Sequence, residues 1–314
     1  MALALVAAAG ALGQADYPDR SIRILVGFPP GGPPDVAARL LADKFADAWG
    51  KSVVVENMTG GGGNIAVDRV AKAAPDGYTL LMASNAIVIN PSLYDKLPYD
   101  AVRDLAPVSL AVAMPIILVV NNDLPANDVQ QLVALARTQP GRLTFGHAGV
   151  GTPAQLAGEL FKARAGVDIQ PIPYRGMPPV VPDLLVGRID MAFPNISVVL
   201  ALVRDGKLRG LAVTSPRRAA AVPNVPTMAE AGFPGVDANA WFGLMAPAGT
   251  PSAIIDKLAR ETTRALAAGD VRKRLDELGM EVIANTPTEF ARVIAAETAQ
   301  WAKLIKDAGI KVSE

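Results

Sequence analysis

The chain has 314 residues, of which 51% are apolar and 19% charged, and its 30 basic side chains balance 30 acidic ones. Such a composition gives a folded protein with room for two cores; it excludes a disordered chain and offers no basic excess for nucleic acid. The lack of cysteine excludes disulfides, thiolate metal sites and cysteine nucleophiles, and the single histidine, His147, excludes multi-histidine metal centres.

Residues 1–15 are almost entirely Ala, Leu, Val and Gly. The run is too short to span a bilayer, which needs about 20 apolar residues. It reads as the apolar part of a secretory signal removed near residue 15, although the basic stretch expected before it is missing. A buried or frayed helix is the competing reading.

Ser21 to Phe28 is a predicted strand, and Pro29-Pro30-Gly31-Gly32-Pro33-Pro34-Asp35 turns it into a helix that ends at Gly50. Ser52 to Glu56 is a second strand, followed by Gly60 to Gly63 and a helix capped by Asn64. Tyr78 to Ala83 is a third, ending at Ser84-Asn85. This alternation implies a parallel sheet with right-handed crossovers. After the apolar strand Ile116 to Val120 the pattern restarts with a helix over Asp128 to Thr138. Leu143 to Gly158 reads as strand, glycine-rich turn and helix start, with Thr152 as N-cap, Pro153 at the first helical position and Gln155 completing a capping box. Strands at Ile169 to Tyr174, Ile189 to Phe193 and Leu208 to Thr214 alternate with helices at Val180 to Val186 and Ser197 to Asp205. A Pro-rich connection leads to the strand Trp241 to Ala246, and three C-terminal helices open at Thr250-Pro251, Asp270 and the Thr286–Glu289 capping box.

Two successive α/β patterns with helices left over predict an α/β protein of two parallel-sheet lobes joined by two crossing strands. Residues 16–122 with 240–314 form lobe 1, and 123–239 form lobe 2. In open α/β sheets ligands sit beyond the carboxyl ends of the strands, where all the glycine-rich turns lie. Helix starts there present backbone N–H groups and the positive end of the helix dipole, so the predicted ligand is a carboxylate.

The motifs leave alternatives. Gly149 to Ala154 matches the dinucleotide fingerprint, which allows a nucleotide-dependent enzyme, but the acidic residue expected after the next strand is misplaced: Asp168 precedes that strand and Arg175 follows it. Gly60 to Gly63 lacks the Lys-Ser/Thr of a phosphate loop and is either a flexible turn or a close approach to ligand. His147 is a structural hydrogen bonder or a ligand contact. Arg175 is a solvated loop charge or a site residue, Asn195 a helix cap or a site residue, and Trp241-Phe242 a core pair or a cleft wall. No Gly-x-Ser-x-Gly elbow supports a catalytic triad.

Several stretches carry a family resemblance. They are Val26-Gly27-Phe28-Pro29-Pro30-Gly31-Gly32 with Asp35, Val53-Val54-Val55-Glu56-Asn57, Ala74-Pro75-Asp76-Gly77-Tyr78-Thr79-Leu80, Ala148-Gly149-Val150-Gly151-Thr152, Pro173-Tyr174-Arg175-Gly176 and Trp241-Phe242-Gly243. In this order, from Tyr17 to Ile310, the chain resembles the periplasmic solute-binding receptors of tripartite tricarboxylate transporters, the Bug receptors. The resemblance implies a type II-like periplasmic binding protein, without catalysis, cofactor or metal. It would be a monomer that closes on an organic acid (a di- or tricarboxylate, or an aromatic carboxylate) and serves a membrane permease. It carries ligand contacts onto Phe28, Pro30, Gly31, Gly32, Asn64, Ser84, Asn85, His147, Ala148, Gly149, Gly151 and Thr152, with Arg175 and Asn195 setting specificity; Trp241, Phe28 and Met177 would line the apolar part. Pro33-Pro34, His147, Met177 and Pro194 depart from the family pattern, and loss of an aspartate at Pro194 argues against amino acids as ligands.

Overall fold

A computed structural model describes residues 17–149, 151–174 and 176–310. The signal-like segment, Val150 and Arg175 lie outside the described residues. In chain order the elements are β1 (Ile22–Val26), α1 (Pro33–Trp49), β2 (Val53–Asn57), α2 (Asn64–Ala71), β3 (Thr79–Ser84), α3 (Ala86–Leu93), β4 (Leu105–Met114) and β5 (Ile117–Val120). They continue with α4 (Val129–Thr138), β6 (Thr144–His147), α5 (Pro153–Ala165), β7 (Gln170–Pro173), α6 (Val180–Leu185), β8 (Met191–Ala192), α7 (Ile196–Arg204) and β9 (Arg209–Val213). The chain closes with β10 (Ala240–Pro247), α8 (Ser252–Ala267), α9 (Gly269–Glu277), β11 (Glu281–Val282) and α10 (Pro287–Asp307).

Two sheets form, in the orders β11-β4-β10-β3-β1-β2 and β7-β6-β8-β5-β9. The expected parallel pairing holds for β1 with β2 and β3, and for β6 with β7 and β8. Both sheets are mixed, however: β10 runs antiparallel to β3 and β4, and β5 antiparallel to β8 and β9. The cause is the crossing itself. A strand arriving from the other lobe enters at the cleft and runs away from it, against strands whose carboxyl ends face the cleft. Because β5 belongs to the second sheet, the first crossing lies at Pro115-Ile116, earlier than the expected boundary after residue 122.

Three apolar cores hold the layers. One packs α1, α8 and α9 against the outer face of the first sheet, and one packs α6 and α7 on the second. The largest takes residues from both lobes. Helix α10, opened by the expected Thr286–Glu289 capping box, lies against β4 and α3. Among the described residues no helix is long and apolar enough to cross a membrane.

Candidate functional site

The cleft between the lobes holds a cavity of about 280 Å³. From lobe 1 it is lined by Phe28, Pro33 and Pro34 beyond β1, by Gly62, by Ser84 and Asn85 at the end of β3, and by Ala240 and Phe242 of β10. The largest share comes from α3, whose Asn85/Ala86, Ile89/Asn90 and Leu93/Tyr94 recur every four residues and so form one stripe of the helix. Lobe 2 adds Gly151, Thr152 and Pro153 from the β6–α5 turn and Asn195 before α7.

The first wall is a braced loop. Asp35, only 2% exposed, accepts from the Gly31 amide at 2.9 Å, from both Arg39 nitrogens at 2.9 and 3.0 Å, and from Asn57 Nδ2 at 2.9 Å. Asn57 Nδ2 also donates to the Phe28 carbonyl at 3.0 Å. Burial alone would raise the Asp35 carboxyl, but the hydrogen bonds from Arg39, Gly31 and Asn57 outweigh it and hold the group below the usual carboxylate range. Pro30, Gly31 and Gly32 thus serve the shape of the loop and do not line the cavity.

The glycine run is a close approach. Gly60 to Gly63 all have positive φ, which only glycine adopts freely, and a Cβ on Gly27 would lie 2.7 Å from the Gly63 Cα. Asn64 is not the cap of the next helix; Gly63 is, and Asn64 opens the helix. Its side-chain oxygen instead accepts from Asn90 Nδ2 at 2.7 Å and from the Tyr99 hydroxyl at 2.6 Å. Asn90 Nδ2 also donates to the Gly62 carbonyl at 3.3 Å. Asn64 therefore clamps α3 to the turn from behind rather than lining the cavity.

On lobe 2 the expected capping box does not form. Thr152 Oγ1 donates to the Gly149 carbonyl at 2.7 Å, and Gln155 Oε1 accepts from the Gly151 amide at 2.7 Å. Both side chains tighten the turn and leave the start of α5 without a side-chain cap. The starts of α1, α3 and α7, all at the cleft, also lack side-chain caps, as do those of α2, α6, α8 and α9, whereas α4 and α10 are capped by Asp128 and Thr286. Uncapped starts leave backbone donors for another acceptor, although the Ala86 amide of α3 already donates to Ser84 Oγ at 3.3 Å and Pro153 of α5 has no N–H. His147 is 2% exposed; its Nδ1 lies 3.0 Å from the Gly149 carbonyl and 3.3 Å from the Gly149 amide. Burial pushes its pKa down, against weaker opposite pulls from Gly149 and Glu159, so the ring is neutral at pH 7. Among the described residues of this turn, Gly151 and Thr152 line the cavity and His147, Ala148 and Gly149 do not.

Trp241 faces the core rather than the cleft. It stacks edge-on against Phe290 at 5.3 Å, and its indole N–H donates to Glu297 at 2.8 Å. Side chains alternate along a strand, so Phe242, the next residue, takes the cleft wall. Met177, half-buried, packs against the core of the second lobe. The sequence reading missed the α3 stripe, for which the four-residue recurrence of Asn85, Ile89 and Leu93 was the available signal, and of the pair Trp241-Phe242 it chose the wrong member for the cleft wall.

Residues 37–310 match the profile of the tripartite tricarboxylate transporter family receptor. Protein BugT of Bordetella pertussis (strain Tohama I) is 40% identical over 298 residues, covering 94% of this chain and 91% of that protein. The structure of R. palustris Rpa4515 with adipate superposes with a TM-score of 0.78 at 36% identity, covering 95% of this chain and all of that one. MatC (Rpa3494) from Rhodopseudomonas palustris with bound malate gives 0.73 at 33% identity, over 92% of this chain and all of that one. The chain therefore belongs to the solute-binding receptors of the tripartite tricarboxylate transporter family.

Proposed function

We propose that this protein is an exported, monomeric receptor that captures a small organic acid between its lobes and passes it unaltered to the permease of a tripartite tricarboxylate transporter. The observation that carries the reading is one cavity walled by turns of both lobes, with the uncapped starts of α3 and α5 contributing to it from opposite sides. Backbone N–H groups and the dipole ends favour a carboxylate there. Contacts made to both lobes stabilise the closed arrangement over the open one. The adipate and malate bound by Rpa4515 and MatC support the same ligand class. At about 280 Å³ the cavity sits at the small end of ligand sites, which run from roughly 300 to 1,000 Å³, and suits a small acid better than a dinucleotide.

A thermal-shift screen of organic acids alongside NAD tests the proposal. An acid at 100 times its dissociation constant adds about 2.7 kcal/mol to stability, a readable rise in melting temperature. Stabilisation by NAD with none by any acid would favour the enzyme reading of Gly149 to Ala154 instead.

A further inference from the structure

We propose that the cleft selects acids with a single carboxylate on a compact apolar body over acids carrying a second charged group. This rests on the carboxylate reading above and narrows it. Three helix starts besides α7 reach the cavity's edge, but that of α1 is closed to an anion in two ways. Pro33 and Pro34 occupy its first two positions and have no N–H to give, although both line the cavity, whereas α5 loses only one such donor, to Pro153. Behind them the helix start already carries an anion of its own: the buried Asp35 carboxylate, held by the Gly31 amide, Arg39 and Asn57. A second ligand carboxylate reaching this end meets pyrrolidine rings, and the Gly31 amide and the Arg39 guanidinium beside them are already taken by Asp35.

The surface continuing from the prolines is equally unsuited to charge. Phe28, Ile89, Leu93 and Phe242 join Pro33 and Pro34 in the cavity wall. An ionised group pressed against that surface loses its hydration without gaining a donor, whereas a ring or alkyl chain gains by leaving water. The polar contributions to the cavity come instead from Ser84 and Asn85 at the start of α3, from Thr152 before α5, and from Asn90, Tyr94 and Asn195. One carboxylate between α3 and α5, with its body directed at the prolines, satisfies both halves of the cavity.

Titration calorimetry of the full protein at pH 7 with benzoate, hexanoate, adipate and malate tests this. The expected result is that benzoate or hexanoate binds about tenfold or more tightly than both diacids. Adipate or malate binding as tightly as the monoacids overturns the selectivity while leaving carboxylate capture in place. No binding of any of the four overturns the receptor reading itself. The double variant Pro33→Ser/Pro34→Thr restores two N–H groups and adds two hydroxyls. It is expected to shift the benzoate-to-malate affinity ratio toward malate by about tenfold. Pro34 is buried, so the half-buried Pro33→Ser alone provides the second reading if the double variant does not fold. An unchanged ratio in a variant with wild-type melting overturns the assignment to the prolines.

Discussion

The turn at Gly151 is where lobe 2 meets the α3 wall of lobe 1, and Gly151→Ala separates folding from closure. At Gly151 φ is +73°, and a Cβ built there would stand 2.3 Å from Leu93 Cδ1. The backbone penalty for a left-handed alanine, about 1–2 kcal/mol, falls on the open and closed forms alike and lowers the melting temperature. The collision with Leu93 arises only when the lobes come together. Leu93 is 8% exposed and packed in the largest core, so moving its side chain costs about 1–3 kcal/mol, the range for overpacking. Charged to the closed form alone, that lowers apparent affinity by about 5- to 150-fold, at 1.4 kcal/mol per factor of ten. Titration calorimetry with the tightest-binding acid, run beside a thermal melt, measures the two effects separately. Adding Leu93→Ala should recover part of the lost affinity, giving a double-mutant coupling above about 0.5 kcal/mol. A lowered melting temperature with unchanged affinity and no coupling would show that this contact plays no part in closure.

Three further outcomes are expected. Asp35→Asn loses charge-assisted bonds worth about 1.5–3 kcal/mol and loosens the Phe28 loop. Because the folded Asp35 pKa is depressed, its contribution is present above the unfolded value of about 3.9 and disappears as pH falls through the folded one; urea unfolding should show the gap to wild type narrowing only below that point. Trp241→Phe removes a donor from half-buried Glu297 and should cost about 1–3 kcal/mol with affinity unchanged, while Phe242→Ala should weaken acid binding; calorimetry giving the reverse would put Trp241 back in the cleft. Burial raises the Glu297 pKa against the indole hydrogen bonds of Trp241 and Trp301, so wild-type stability falls as pH rises from the unfolded to the folded value; Glu297→Gln, which keeps an acceptor, should melt higher than wild type at pH 7 and show no gain near pH 4.

What the sequence revealed and what it hid follow one division. Turns that need glycine or proline were readable, because Gly60 to Gly63 and the Pro29–Pro34 loop leave local chemical marks. Helix α3 left none. Its residues, Ala-Ile-Val-Ile-Asn-Pro-Ser-Leu, are buried on several sides and so lack an amphipathic period, and Pro91 within it reads as a breaker. Strand directions were equally hidden, since β10 looks like any apolar strand and its antiparallel course depends on where the chain re-enters lobe 1. Trp241 and Phe242 show the same limit at the scale of one residue. All eight residues of β10 are buried, so no polar alternation marks which side faces the cleft. His147 and Asn64 were picked out as polar groups near strand ends, but whether such a group points at ligand or braces its own loop depends on partners remote in the chain, such as Asn90 and Tyr99.

The position of β10 also dictates an order of assembly. The second sheet draws all its strands from one unbroken stretch, β5 through β9, whereas the first is missing a middle strand until Pro247 has been made. The half that begins first is therefore the half that finishes last, and the later-encoded lobe matures inside its incomplete host.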